Sequence, residues 1–222
     1  MRERERRPAP SAGQGRRFAS LASVSRVYSK PRSGSDGNEQ LTAIMATLLL
    51  VLLAAEGATL LQIGPLLTVH AFIGMLLVPV VAVKFASTGW RMLRYYLGAE
   101  EYVMRGPPHL VLRAVVAPVL VASTVVLFAS GVALLVLDER HGTIVGLHKA
   151  SFVVWFGAMS LHVLTRTPGL VRALGLRRQG LALRVGLASA SLLAGAVLAA
   201  ATLPAAERLQ DGVSAYVGVD RS

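Results

Sequence analysis

Polar and apolar positions alternate along this chain on a long scale. Positions 1–40 are polar and basic, with Arg, Glu, Ser, Gly and Gln interleaved and no apolar face at any period. This pattern predicts a disordered basic tail. Five apolar runs follow, at 41–63, 66–87, 110–137, 144–165 and 181–203. Each reaches the roughly 20 residues that a helix needs to cross a bilayer's hydrocarbon. Their length and continuity exclude strands. The breaks between them carry turn and helix-stop chemistry: Gly64-Pro65, a polar connection over 89–109 with Gly106-Pro107-Pro108, Asp138-Glu139-Arg140-His141-Gly142, Pro168-Gly169, and Pro204. The expected fold is all-α and integral to the membrane: a four-helix up-down bundle with a fifth transmembrane helix. The expected divisions are the tail at 1–40, the bundle at 41–166, a connection and fifth helix at 167–203, and a short extracytoplasmic tail at 204–222.

Composition agrees with that pattern. Apolar residues make up 54% of the 222 positions and aromatics 6%, and the mean hydropathy is +0.56. These are values of a membrane protein. There is no cysteine, which excludes disulfides, thiolate metal sites and thiol catalysis. The net charge of +11 would suggest nucleic acid in a soluble chain. Its placement gives a different reading. Nine Lys and Arg lie in the tail. Lys84, Arg91, Arg94, Arg105 and Arg113 lie around the second connection, and Arg166, Arg172, Arg177, Arg178 and Arg184 around the fourth. Only Arg140, Lys149, Arg208 and Arg221 lie on the other side, nineteen against four. The excess predicts a multi-pass protein of the cell membrane, with its amino terminus cytoplasmic and its carboxyl terminus outside. The expected charged partner is membrane lipid and not nucleic acid. The first apolar run is too far in and too long for a signal peptide, although the Arg- and Ser-rich tail also suits a transit peptide.

The candidate chemistry lies in the second and fourth runs. His148 and His162 are fourteen positions apart in the fourth. On a helix they share one stripe, about 21 Å apart along the axis. In the second run His70 and Lys84 have the same spacing. Both runs travel inward, so His70 and His148 share the outer depth, and Lys84 and His162 the inner one. Two neutral imidazoles at one depth, with no thiolate or carboxylate ligand beside them, suit a metal, and haem iron with two axial histidines most naturally. Gly74 and Gly131 offer room near the ligands. Arg140, His141 and Lys149 stand at the level where haem propionates need donors.

These residues resemble the membrane cytochrome b subunits of formate dehydrogenase and nickel–iron hydrogenase. The resemblance covers 41–166 and leaves the fifth helix as an addition. It implies a four-helix haem bundle with an inside amino terminus. His148 and His70 would share an outer haem b, and His162 would be an inner ligand. In that family the inner haem takes its second ligand from the start of helix one, where this chain has no histidine and only Met45 or Lys84 stands near. One haem b is therefore the expectation, and a second the lesser one. The resemblance further implies electron transfer between a quinone and a partner redox subunit, by a carrier and not an autonomous enzyme.

Other readings stay open beside this one. Two histidines can simply hydrogen-bond between helices, and Lys84 can snorkel to the inner surface. Glu56, within the first run, can orient a histidine or relay a proton. Glu56, His70 and Lys84 together would suit a small transporter or channel, and a non-catalytic membrane anchor is a third reading. His109 and His141 fall in connections and are expected to be solvated. Trp90, Tyr95, Tyr96 and Tyr102 read as an interfacial belt. Gly186, Ala190, Ala194, Gly195 and Ala199 permit the fifth helix to pack closely on the bundle or on a second protomer as a homo-oligomer. No nucleotide loop, Ser/His/Asp set or paired carboxylates appear, so a hydrolase or kinase is unsupported.

Overall fold

A computed structural model of the chain describes residues 33–103, 112–174 and 181–219. The expectations for 1–32, for Gly106-Pro107-Pro108 and His109, and for Arg177 and Arg178 lie outside the described residues. Everything described is helical, apart from short turns. The long helices are α1 (Ser33–Thr59), α2 (Ile63–Tyr96), α3 (Ala117–Leu137), α4 (Thr143–Leu174) and α5 (Leu181–Val219). A 3-10 turn at Leu60–Gln62 joins α1 to α2, a one-turn helix occupies Glu100–Val103, and a π turn at Leu112–Val116 leads into α3.

Four stretches are long and apolar enough to cross a membrane: Asn38–Tyr96, Ala114–Leu137, Thr143–Thr167 and Leu181–Ala215. The first has 59 residues. As one straight helix it would measure about 90 Å, some three times the hydrocarbon thickness. It is folded back on itself. The backbone leaves helical geometry at Gln62 (φ −142°, ψ 57°), and polar groups then pair across the two arms. Asn38 Nδ2 donates to Ser87 O at 3.1 Å, the Thr42 and Ser87 hydroxyls meet at 2.6 Å, and Lys84 Nζ donates to Thr42 O at 2.8 Å. Near the turn, Thr59 meets His70.

α2 packs along α5, and α3 along α4. One apolar cluster joins Met45 and Leu49 of α1 to Leu77 and Val80 of α2 and Ala188 of α5. A second joins Met75 of α2, Leu135 of α3, and Ala199 and Ala206 of α5. Gly195 of α5 lies against the backbone of Leu76, so close that a Cβ there would overlap the Leu76 carbonyl. The small residues of α5 therefore divide. Gly195 and Ala199 are buried on the bundle, while Gly186, Ala190 and Ala194 face outward. The outer surface is apolar on every long helix, with Val51, Val136, Leu164, Leu183 and Val197 each more than 60% exposed. Helices apolar on all sides are what a lipid surround permits.

Several boundaries differ from the sequence expectation. Gly64-Pro65 does not make the turn. It sits in the first turn of α2, where the amide that proline lacks has no helical partner in any case. α2 does not stop near Ser87 but continues to Tyr96, where Gly98 at φ +73° closes it with its N–H on Tyr95 O. α4 passes Pro168, and α5 passes Pro204 to reach Val219. Beyond Pro204, α5 is anchored to the start of α2. Gln210 Oε1 accepts from Thr68 N at 2.7 Å, Gln210 Nε2 donates to Pro65 O at 3.2 Å, and Thr68 Oγ1 donates to Ala206 O at 3.5 Å. These bonds offset the one proline removes, so 204–219 is helix within the stretch expected as a short tail. The break at 138–142 is as expected. Asp138 takes a left-handed conformation (φ 52°) to end α3, and Gly142 (φ +98°) precedes α4.

Candidate functional site

His70 lies two turns into α2 and His148 little more than one turn into α4. Their ring centroids are 6.4 Å apart and their planes are perpendicular, at 88°. Among the described residues the backbones of α2 and α4 do not pack on each other, because α5 and α3 take those contacts. The two imidazoles thus meet across a gap between helices.

The hydrogen bonds around each ring fix its tautomer. Thr59 Oγ1 donates to Glu56 O at 2.6 Å, so it can only accept from His70 Nδ1, which lies 2.9 Å away. Glu56 Oε1 is a further acceptor at 3.1 Å from the same nitrogen. His70 therefore carries its proton on Nδ1. The same holds for His148, whose Nδ1 is 3.1 Å from the carbonyl oxygen of Leu127, a group that only accepts. Ser130 Oγ, also at 3.1 Å, donates its own proton back to Val126 O (2.7 Å) or Leu127 O (3.0 Å). Each neutral ring then presents Nε2 as a lone pair. Neither Nε2 has a hydrogen-bond partner among the described residues. The two rings cannot hydrogen-bond to each other through these nitrogens, since both are acceptors.

The expected glycines serve the supporting shell. A Cβ on Gly131 would come within 3.1 Å of His148 Cε1, so the missing side chain seats the imidazole against α3. A Cβ on Gly74 would lie 3.5 Å from Glu56 Oε1, leaving room for the carboxyl. Glu56 Oε2 is buried with no partner among the described residues. The sequence suggested Glu56 as an orienting group, but nothing in it pointed to Thr59 or Ser130, whose roles depend on helix packing.

The residues proposed for propionates do not converge. Arg140 Nη2 donates to Asp138 Oδ2 at 2.7 Å and reaches Arg208 O at 3.5 Å, and its guanidinium packs on Gly212. It ties the 138–142 break to α5. Lys149 is exposed.

His162 lies fourteen residues beyond His148 on α4, as Lys84 does beyond His70 on α2. Met45, the alternative inner ligand, is fully buried among Leu49, Leu77, Val80 and Ala188, in a cluster without α4 residues. Among the described residues there is no group of three or more His, Cys, Asp or Glu that could hold a metal by themselves. Between the histidines of α4, Trp155 is buried, stacked on Phe152 at 6.3 Å, with its Nε1 unpartnered among the described residues. No family model, curated protein or solved structure matches the chain.

Proposed function

We propose that this is a five-pass haem b protein of the cell membrane, with the basic tail cytoplasmic and the carboxyl terminus outside. α1 and α2 are read as two spans and α5 as the fifth, beside an up-down bundle of the first four. The protein carries electrons between a quinone pool and a partner redox protein. One observation carries the reading: two imidazoles 6.4 Å apart, both bound by the protein through Nδ1 and both left with a free Nε2 lone pair.

His70 and His148, with ring centroids 6.4 Å apart, would be the pair to hold the iron of a haem between them. A histidine ligand commonly gives its other N–H to a carboxylate or a backbone carbonyl, which fixes the ring and raises its basicity. Glu56 with Thr59 does this for His70, and Leu127 O with Ser130 for His148. Haem, when bound, would supply a one-electron couple; the chain's own residues would hold the rings and keep both as neutral donors. We propose one haem, at the outer end; at the inner end Lys84 is bonded to Thr42 O and Met45 is buried in the apolar cluster.

The transporter reading fits the geometry less well. Glu56 and His70 are in contact, but Lys84 lies about 21 Å along α2 from His70 and is hydrogen-bonded to α1. The test is a reduced-minus-oxidised visible spectrum of the full chain, purified from cells supplied with haem. Soret and α bands are expected, and both should disappear in His70→Ala and in His148→Ala. A protein without those bands, or bands unchanged in both variants, would overturn the proposal.

A further inference from the structure

His70 and His148 belong to different helix pairs. α2 packs along α5 and α4 along α3, and among the described residues the backbone of α4 packs on neither α2 nor α5. The separation of the two rings is therefore set where one pair is fastened to the other. Two of the fastenings are apolar. Leu135 of α3 lies among Met75, Ala199 and Ala206, and Phe128 of α3 packs against the cluster of α1, α2 and α5. Between helices in lipid, such contacts gain no solvent-driven attraction beyond their packing.

A third fastening is polar and directional. Arg140 Nη2 donates to Asp138 Oδ2 at 2.7 Å and reaches Arg208 O of α5 at 3.5 Å. The guanidinium fills the space where Gly212 of α5 has no side chain, and a Cβ there would overlap its Cζ, Nε and Nη2. Arg140 stands in the break between Leu137, the last residue of α3, and Thr143, the first of α4. Asp138 (φ 52°) and Gly142 (φ +98°) turn that break sharply. A connection this short and bent moves with the helix it starts, and His148 follows in the second turn of α4. We propose that Arg140 is a positioning residue: keyed into Gly212, it straps the α3–α4 pair to α5 and so sets the spacing of His70 and His148. A site built from two side chains tolerates about 0.5 Å of misplacement. The bearing of the strap on iron rests on the haem reading; the ring spacing itself does not.

The test reads spacing and haem separately. The chain has no cysteine, so Val69→Cys and Leu147→Cys, both exposed and each beside a histidine, take spin labels in the full chain. Pulsed electron–electron double resonance in nanodiscs then gives the α2–α4 distance with or without haem. Arg140→Ala and Gly212→Ala should each lengthen or broaden that distance beyond the wild-type width. The double variant should be no worse than Arg140→Ala alone, because the added methyl then has no guanidinium to displace. Arg208→Ala leaves the carbonyl that Arg140 reaches and should match the wild type. With haem supplied, the two single variants should bind it about tenfold more weakly, the lower end for groups that orient a metal ligand. They should also shift the ferric low-spin resonance, which depends on the angle between the ring planes, 88° here. A distance unchanged in Arg140→Ala, or changed as much in Arg208→Ala, would overturn the proposal. So would unchanged haem binding and resonance in a protein whose distance has changed. Wild-type protein that takes up no haem would overturn the haem reading, and the distances alone would then decide on the strap. Circular dichroism of each variant separates a moved helix from an unfolded one.

Discussion

The two ends of the α2–α4 gap differ in one respect that decides what each can bind. At the outer end a side chain of α2 meets a side chain of α4, and the fourteen-residue spacing carries each helix on to a second polar group, Lys84 and His162. At the outer end every polar neighbour is an acceptor: Thr59 Oγ1, Glu56 Oε1, Leu127 O and Ser130 Oγ. Acceptors hold the imidazole protons on Nδ1 and leave electron pairs for a cation. At the inner end the corresponding residue of α2 is a cation, Lys84, which donates to the Thr42 carbonyl of α1, and Arg166 stands one turn beyond His162 on α4. Equal spacing along a helix fixes where a group stands, and the neighbouring helices fix which charge it can meet.

Substituting the histidines tests that contrast most severely. His70→Ala or His148→Ala should abolish haem retention, while His162→Ala should leave the haem band near its wild-type height, all read from the visible spectrum per mole of protein. If His162→Ala removed half the haem, the two ends would not differ as described. The seat of the outer ring comes next. Gly131→Ala forces the His148 ring to shift from a 3.1 Å approach, and overpacking of this kind costs about 1–3 kcal/mol. Haem affinity should fall by about tenfold or more, with a larger loss for Gly131→Val, measured by haem titration of the apoprotein.

Removing the acceptor behind His70 should act less on occupancy and more on potential. Glu56→Leu is expected to weaken haem binding by about 10–100-fold, the range for loss of a partner behind a metal ligand. It should also raise the midpoint potential, because a less basic imidazole stabilises the oxidised iron less; redox titration reads this directly. Glu56→Gln keeps an acceptor at the same place and should fall between. The smallest effect is expected from Lys84→His, which builds a second histidine pair at the inner end with the outer end's spacing. It should gain no second haem by pyridine haemochrome count, because among the described residues no acceptor holds the His162 Nδ1 proton as Leu127 O holds that of His148. A gain of one full equivalent would mean that spacing alone suffices.

Much of this was legible in the sequence. The apolar runs marked the long helices, and the break at 138–142 carried its own stop signal in Asp138 and Gly142. The shared depth of His70 and His148 followed from run lengths and direction, and the two rings do meet. The prolines are less legible. Gly64-Pro65 and Pro204 looked like ends, yet Pro65 fits a helix's first turn, and the helix past Pro204 is retained by Gln210 and Thr68 at a distance of more than 130 residues in sequence. Arg140 turns to Asp138 and the Arg208 carbonyl, a choice the sequence does not show, because depth along a helix does not say which way a long side chain turns.

The sequence by itself determined that the chain is helical, apolar on all sides of its helices, and furnished with imidazoles at set intervals. Those are properties of local composition and of a fixed 1.5 Å rise per residue. Only the tertiary structure decided that Thr59, Glu56, Ser130 and the Leu127 carbonyl would stand behind the two rings, that Gly131 would seat one of them, and that Met45 would turn to the core. Those outcomes depend on the rotation of each helix about its axis and on its neighbour, and packing between chain segments far apart in sequence sets both.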